Sequence, residues 1–446
     1  MGLTGLEIYK LLPKTNCKEC GQATCLAFAM QLAAGKASLD QCPHVSDAAR
    51  EALESASAPP VALVKIGTGE KEHVLGHETV LFRHDKRFEH PTALAVTVSD
   101  TDPDVAGRVQ AINKLEFDRV GQIHAVSLVA VRNDSGDAAK FAAAVKTAQE
   151  HSRFALVLIA EDPAAMEQAL EVAGAGKPLI YAATPANYEA MTALAKKYEA
   201  PLAVRAGDLN ELADLVPKVT ALGWKQLILD SGAREPHRVL ADQTQIRRLA
   251  IQKRFRPFGY PTITFAEGPD PVQVVANAAV YIAKYAGVVV LPTADPADIL
   301  ALITLRLNIY TDPQKPIAVE PKLYEIGTPG PDSPVYVTTN FSLTYFCVAG
   351  DVEASRVPAY ILAVDTDGTS VLTSWAAGKF TPEKIAQAMQ ESGIADRVKH
   401  RKVVIPGGVA VLSGKLQEIS GWEVLVGPRE SAGIPSFVKQ RWLAQQ

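Results

Sequence analysis

Apolar residues come in two rhythms along this chain. Between residues 93 and 291, short runs recur at Ala93–Val98, Ala125–Val131, Ala155–Ile159, Pro178–Ala182, Pro201–Val204, Gln226–Leu229, Pro261–Phe265 and Val288–Leu291. Most are rich in Val, Ile and Leu with little polar alternation, as expected of parallel strands buried on both faces. The intervening stretches, such as Asp137–His151, Pro163–Ala173 and Ala186–Tyr198, read as helices. Eight strand–helix units in succession predict a (β/α)8 barrel over residues 58–312; an open doubly wound sheet is the competing arrangement. Val61–Ile66 and Glu72–Phe82 precede the series and read as a β-ribbon.

A second series follows Pro-rich ground. Pro313, Pro316, Pro321, Pro329, Pro331 and Pro334 crowd one stretch, and residues 313–330 read as a linker. Beyond it, Val335–Thr338, Tyr360–Val364, Val403–Ile405 and Val424–Val426 read as strands separated by helix-like segments. Thr381-Pro382-Glu383 is a good helix start, with Thr as N-cap and Pro in the first turn. Residues 331–446 are therefore expected to form a small flavodoxin-like (Rossmann-type) domain. At the other end, residues 1–57 stand apart, closing on Ser55-Ala56-Ser57-Ala58-Pro59-Pro60, whose side chains are too small to build a core and suit a joint. The expected fold class is α/β multidomain: a small N-terminal module, a central TIM barrel and the C-terminal domain.

Composition narrows the function classes. Of 446 residues, 48% are hydrophobic and 21% charged, values that exclude a disordered chain. Lys and Arg number 45 against 49 Asp and Glu, so nothing favours a nucleic-acid or polyanion binder. Glu7 and Lys10 interrupt the N-terminal apolar residues where a signal peptide needs an unbroken run. No stretch reaches the ~18 uncharged apolar residues of a membrane span. A cytoplasmic location is expected, where free thiols serve metal or redox chemistry rather than disulfides.

The thiols are the main chemical clue. Four of the five cysteines form Cys17-x2-Cys20-x4-Cys25-x16-Cys42. Thiolates are soft ligands, and four of them suit an iron–sulfur cluster or a structural zinc. Zinc domains more often pair two tight knuckles. Here only one pair is tight and the last cysteine precedes Pro43, which favours a [4Fe–4S] cluster, with zinc as the alternative. Residues 26–41 read as a helix that carries the chain back to the metal. So small a segment has little core of its own, and bound metal is expected to stabilise it.

Other candidates are weaker. Loops after the barrel strands carry Ser99, Asp100, Asp102, Asn133, Asp134, Glu161, Asp162, Arg205, Asp208, Asp230 and Glu267, either as site residues or as helix caps and loop solvation. No P-loop is present, since Gly408-x5-Gly414-Lys415-Leu416 has the wrong spacing and ends on Leu. In the C-terminal domain, ligands are expected beyond the strand ends, at Thr338–Ser342, Asp365–Ser374 and Gly427–Gly433. Small hydroxyl residues and Gly there let backbone approach a large flat ligand; ordinary turn chemistry is the competing explanation. Cys347 reads as a buried core thiol. Asp-x-His-x-x-Gly, whose His ligates cobalt in cobalamin domains of the methionine-synthase type, is missing, and His400 is the only histidine beyond residue 330.

Taken together, these features resemble a known family. The opening GLEIYKLLPKTNCKECGQATCLAFAMQLAAGKASLDQCP is similar to the N-terminus of large (gamma) subunits of corrinoid iron–sulfur proteins, and the likeness extends over all three segments. The resemblance implies a methyl-group carrier of the reductive acetyl-CoA (Wood–Ljungdahl) pathway. Its corrinoid takes a methyl group from methyltetrahydrofolate through a separate methyltransferase and passes it to acetyl-CoA synthase. A [4Fe–4S] cluster on Cys17, Cys20, Cys25 and Cys42 returns Co(II) to Co(I). The resemblance further implies a base-off corrinoid without a protein His ligand, contacted around Asn340, Phe346, Ser370, Val371, Leu372, Thr373, Ser374, Ala432 and Gly433. It implies a heterodimer with the small subunit, and a chain that does not turn over alone. Two other readings are a TIM-barrel pterin-dependent methyltransferase with an accessory iron–sulfur module, and a non-catalytic scaffold held by zinc.

Overall fold

A computed structural model of the chain describes residues 5–33, 37–46, 49, 53, 59–119 and 122–445. Of the proposed joint at 55–60, residues 55–58 lie outside the described residues. In the N-terminal module, helices Gly5–Leu11 and Cys25–Ala33 pack over a small core of Ile8, Leu12, Phe28 and Ala29. The single helix expected over 26–41 is shorter: Ser38 is extended, and only a 3-10 turn, Leu39–Gln41, follows.

The central region opens with an antiparallel ribbon of β1 (Val64–Ile66) and β2 (His73–Leu75). The rest of the expected second ribbon arm, through Phe82, is irregular. Next come β3 (Ala93–Ser99), the hairpin strands β4 (Glu116–Arg119) and β5 (Gln122–Ala125), β6 (Leu128–Arg132), β7 (Ala155–Ile159), β8 (Leu179–Ala183), β9 (Leu202–Arg205), β10 (Leu227–Asp230), β11 (Ile263–Phe265) and β12 (Val288–Leu291). All but the hairpin form one parallel eight-stranded sheet in the order β10-β9-β8-β7-β6-β3-β12-β11. A parallel bridge between Leu229 and Thr262 joins its two ends, giving a nearly closed barrel. An open sheet is thereby excluded.

Residue alternation explains the near-unbroken apolar strands. Ala95, Ala130, Val157, Ala203, Ile228 and Val290 fill the interior, while neighbours of the other parity, such as Val96, Val131 and Leu158, meet the surrounding helices. Val64, Ile66 and Leu75 of the ribbon join the interior cluster and plug the bottom of the barrel. The hairpin is an addition to the expected series of strands. Its strands are largely exposed, so no burial pattern marks them.

The C-terminal sheet contains β13 (Leu323–Ile326), β14 (Val335–Thr339), β15 (Ala359–Val364), β16 (Lys402–Ile405) and β17 (Glu423–Val426), ordered β13-β15-β14-β16-β17. The last four are parallel, and β13 runs antiparallel along the outer edge of β15. Residues 313–330 are therefore not wholly a linker. An edge strand this short becomes recognisable only through its pairing with β15. Helices Ser342–Ala354 and Ile434–Phe437 cover one face of the sheet, and Pro382–Glu391 and Ser413–Ser420 the other. As expected, the Thr381 hydroxyl accepts from the Lys384 N–H at the start of Pro382–Glu391.

Candidate functional site

The N-terminal module carries four of the five cysteines. Cys25 and Cys42 are buried in its core, and Cys20 rests against it. Cys17 is half-buried. Its Sγ and ligand atoms of Glu19 and His44 all lie within 4.8 Å of one another, with His44 Nε2 3.0 Å from Glu19 Oε2. His44 stands two residues after Cys42 in the chain. The backbone takes positive φ at Lys14, Asn16 and Lys18. Such alternation of handedness lets successive N–H groups converge on an anion. Cys25 is the first residue of its helix. Four soft sulfur donors around so small a core fit an iron–sulfur centre.

The second site is a cleft of about 380 Å³ at the carboxyl ends of β14 and β16. Strand order reverses between these two strands, the place where open α/β sheets hold their ligands. Tyr336, Thr338, Val404 and Ile405 form part of the lining, together with Leu343 and Cys347 of helix Ser342–Ala354. Leu372, Gly408 and the segment Gly427–Ser431 close the remaining sides. Two features point to a ligand. Leu343 and Leu372 line the cleft yet are 65% and 57% exposed, and Phe346, Trp375 and Val411 are exposed elsewhere on the same domain. Large apolar side chains gathered on one surface mark a binding site. In addition, the Tyr336 and Thr338 hydroxyls are buried without a hydrogen-bond partner in the protein. Native proteins rarely leave buried polar atoms so. Burial also pushes the Tyr336 phenol up, so it stays a protonated donor.

Glycine shapes the rim. A Cβ on Gly407 would fall 2.5 Å from the Gly427 carbonyl oxygen and 2.8 Å from the Pro428 carbonyl carbon, so the two loops meet as closely as backbones can. A large apolar cleft with a few internal hydrogen-bonding groups fits part of a flat ring system such as a corrinoid. No imidazole lines the cleft. His400 lies at the opposite end of β16, with Nε2 2.9 Å from the Ser333 carbonyl oxygen and Nδ1 accepting from the Lys402 N–H.

The nine expected contacts divide. Ser370, Val371 and Leu372 line the cleft. Ala432 and Gly433 sit beside its lining residues Ser431 and Ile434. Phe346 is exposed near its edge, ring to ring with Tyr345 at 5.2 Å. Thr373 bonds the Ser370 hydroxyl at 3.0 Å. Asn340 and Ser374 instead brace the loop behind the cleft. Asn340 Oδ1 accepts from the backbone N–H groups of Thr366 and Gly368 and from the Thr366 hydroxyl. Ser374 is fully buried and bonds Thr369.

Cys347 is exposed and lines the cleft, correcting the expectation of a core thiol. On its helix Tyr345 and Val352 face the core, and Cys347 shares the opposite side with Leu343, one turn earlier. Pro406 and Gly408 also line the cleft, and a Gly pair straight after a strand signals close backbone approach.

At the mouth of the barrel most of the carboxylates are occupied. Asp162 and Asp208 are helix N-caps, each accepting two backbone N–H groups. Asp100 accepts from the Asp134 and Ser135 N–H groups and the Ser135 hydroxyl. Asp102 accepts from the Asp104 N–H. Ser99 donates to Asp134, which also pairs with Arg132. Glu161 pairs with Arg205. Asp230, buried, accepts from the Tyr181 hydroxyl at 2.6 Å and from Arg234 at 3.0 Å. Burial and the Asp230 charge push the Tyr181 phenol up. The Arg234 guanidinium lies 4.5 Å from the centre of the Phe265 ring. Asn133 keeps one buried, unpartnered oxygen, and Glu267 accepts from Asn277 through its backbone carbonyl. Among the described residues, no helix is long and apolar enough to cross a membrane.

Residues 63–438 match the family model described as "CO dehydrogenase/acetyl-CoA synthase delta subunit", and residues 12–44 match one described as "Putative Fe-S cluster". The chain is 56% identical to the corrinoid/iron-sulfur protein large subunit of Moorella thermoacetica, over 98% of this chain and 99% of that one. It is 38% identical to the acetyl-CoA decarbonylase/synthase complex subunit gamma of Methanopyrus kandleri, over 99% and 98%. Among solved structures, dihydropteroate synthase from Vibrio fischeri ES114 overlays at a TM-score of 0.39 with 14% identity, covering 56% of this chain and 99% of that one. The chain thus belongs to the family of corrinoid/iron-sulfur protein large subunits and acetyl-CoA decarbonylase/synthase gamma subunits.

Proposed function

We propose that this chain is the methyl-carrying subunit of a corrinoid iron–sulfur protein in the acetyl-CoA pathway. The observation that carries the reading is the C-terminal cleft, with apolar walls left exposed and two buried hydroxyls left without partners. The corrinoid supplies a cobalt that accepts and hands on a methyl group, and the [4Fe–4S] cluster supplies the electron that keeps that cobalt low-valent. Cys17, Cys20, Cys25 and Cys42 hold the cluster. Leu343, Leu372 and Val371 cover apolar surface of the ring system, while Tyr336 and Thr338 offer hydrogen bonds to polar groups inserted between β14 and β16. The lining of the cleft contains no imidazole, which suits a cobalt that would be held without a protein nitrogen ligand and so be easier to keep low-valent.

The parallel strand order β15-β14-β16-β17 supports a flavodoxin-like corrinoid domain. The barrel mouth, with nearly all its carboxylates paired internally, gives the pterin-dependent methyltransferase reading no comparable support. The partners are the small subunit, as a heterodimer, the methyltetrahydrofolate methyltransferase and acetyl-CoA synthase. Anaerobic purification with metal analysis and visible spectroscopy tests the proposal. The expected result is a corrinoid spectrum with about four irons per chain, and a Co(II) EPR signal without axial nitrogen splitting. A colourless zinc protein, or clear nitrogen splitting, overturns it.

A further inference from the structure

Beside the cysteines stands a residue that the ligand set does not include. Asn16 and Cys25 clasp each other across nine positions: the Cys25 N–H donates to Asn16 Oδ1 at 2.8 Å, and the Asn16 N–H points at Cys25 Sγ at 3.4 Å. Cys25 is the first residue of helix Cys25–Ala33, so its N–H is one of those a helix leaves unpaired. Ordinary capping is already supplied locally, because the Thr24 hydroxyl accepts from the Ala27 N–H at 3.1 Å. Asn16 is exposed, where water would otherwise compete for its side chain, and its φ is +49°, a conformation Asn tolerates better than most residues. The clasp therefore joins a specific residue type, in a specific backbone state, to a buried cysteine.

From this geometry we infer that Asn16 is a positioning residue for the iron–sulfur centre. Its side-chain carbonyl fixes the Cys25 backbone, which holds the thiol at the end of the Asn16 N–H. That N–H···S contact stabilises negative charge on the sulfur. It does so more in the reduced cluster, which carries the extra electron, and so raises the reduction potential. The inference rests on the iron–sulfur reading of the N-terminal module.

Redox titration of the full chain, followed by EPR of the reduced cluster, tests it together with the rate of iron loss to a chelator. Asn16→Gly keeps the positive φ but removes the carbonyl. It should shift the midpoint potential to more negative values and speed iron loss several-fold. Asn16→Asp restores an acceptor for the Cys25 N–H and should return iron loss to near the wild-type rate. If Asn16→Gly loses iron faster at an unchanged potential, the side chain is only a helix cap and the inference fails. Unchanged potential and unchanged iron loss overturn it too. A wild-type chain without iron overturns the iron–sulfur reading itself, and the inference with it.

Discussion

The chain presents two sets of parallel-strand carboxyl ends, and they are finished in opposite ways. At the barrel mouth the charged groups satisfy one another: Ser99 and Arg132 hold Asp134, Arg205 pairs with Glu161, and Tyr181 and Arg234 enclose Asp230. In the C-terminal cleft, leucines are exposed and buried hydroxyls lack partners. General fold rules nominate both places as sites. The contrast teaches that position in a fold nominates a site, while unsatisfied surface identifies one. Under the proposed function the regions do different work, the barrel as a stable body and the smaller sheet as the ligand carrier.

Substitutions can break this contrast. The largest effect is expected from Asp230→Ala, which strands the partly buried Arg234 charge and should cost about 3 kcal/mol in urea unfolding. Corrinoid content per folded molecule should not change; a loss of corrinoid would show that the mouth serves the ligand after all.

At the base of the barrel, burial holds His73 down at about 4, assisted by the Arg306 charge. The unfolded chain, with a His pKa near ~6.5, binds the proton first. Stability should therefore be complete above about pH 6.5 and fall as pH drops toward 4, by at most about 3 kcal/mol. His73→Phe should flatten that slope in unfolding curves recorded across this range, and an unaltered slope would assign acid sensitivity elsewhere.

The smallest energetic change is expected from Gly408→Trp, whose added Cβ would face Leu372 Cδ2 at 3.2 Å in the cleft. It should lower corrinoid retention by at least about tenfold, roughly 1.4 kcal/mol, with iron content and barrel stability unchanged. Full corrinoid loading by this variant would remove the cleft from the proposed site.

Much of this was legible in the sequence, but unevenly. Buried strands announce themselves because both faces are apolar; that the eight close into a barrel rather than an open sheet is decided by the bridge between Leu229 and Thr262. Helix starts were legible where Asp or Thr precedes a first turn, as at Asp162, Asp208 and Thr381. The short edge strand Leu323–Ile326 and the exposed hairpin Glu116–Ala125 escaped notice, since neither carries a burial rhythm of its own. Within the cleft, Ser370–Leu372 were anticipated, whereas Tyr336 and Gly408 were not. Asn340 and Ser374 lie in the expected stretches but turn inward to hold the loop.

By itself the sequence determined the spacing of four cysteines, the order of strands and helices, and the lack of any histidine after residue 400. These are properties of neighbours along the chain, or of composition, and need no contacts. Only the tertiary structure decided which carboxylates are neutralised, that Cys347 faces the cleft rather than the core, and that Asn16 reaches Cys25. Each of those depends on a side chain's direction relative to residues from other elements. A period of 2.0 or 3.6 marks which face of an element is apolar. It does not say what the opposite face meets, and it is there that the barrel mouth and the cleft part company.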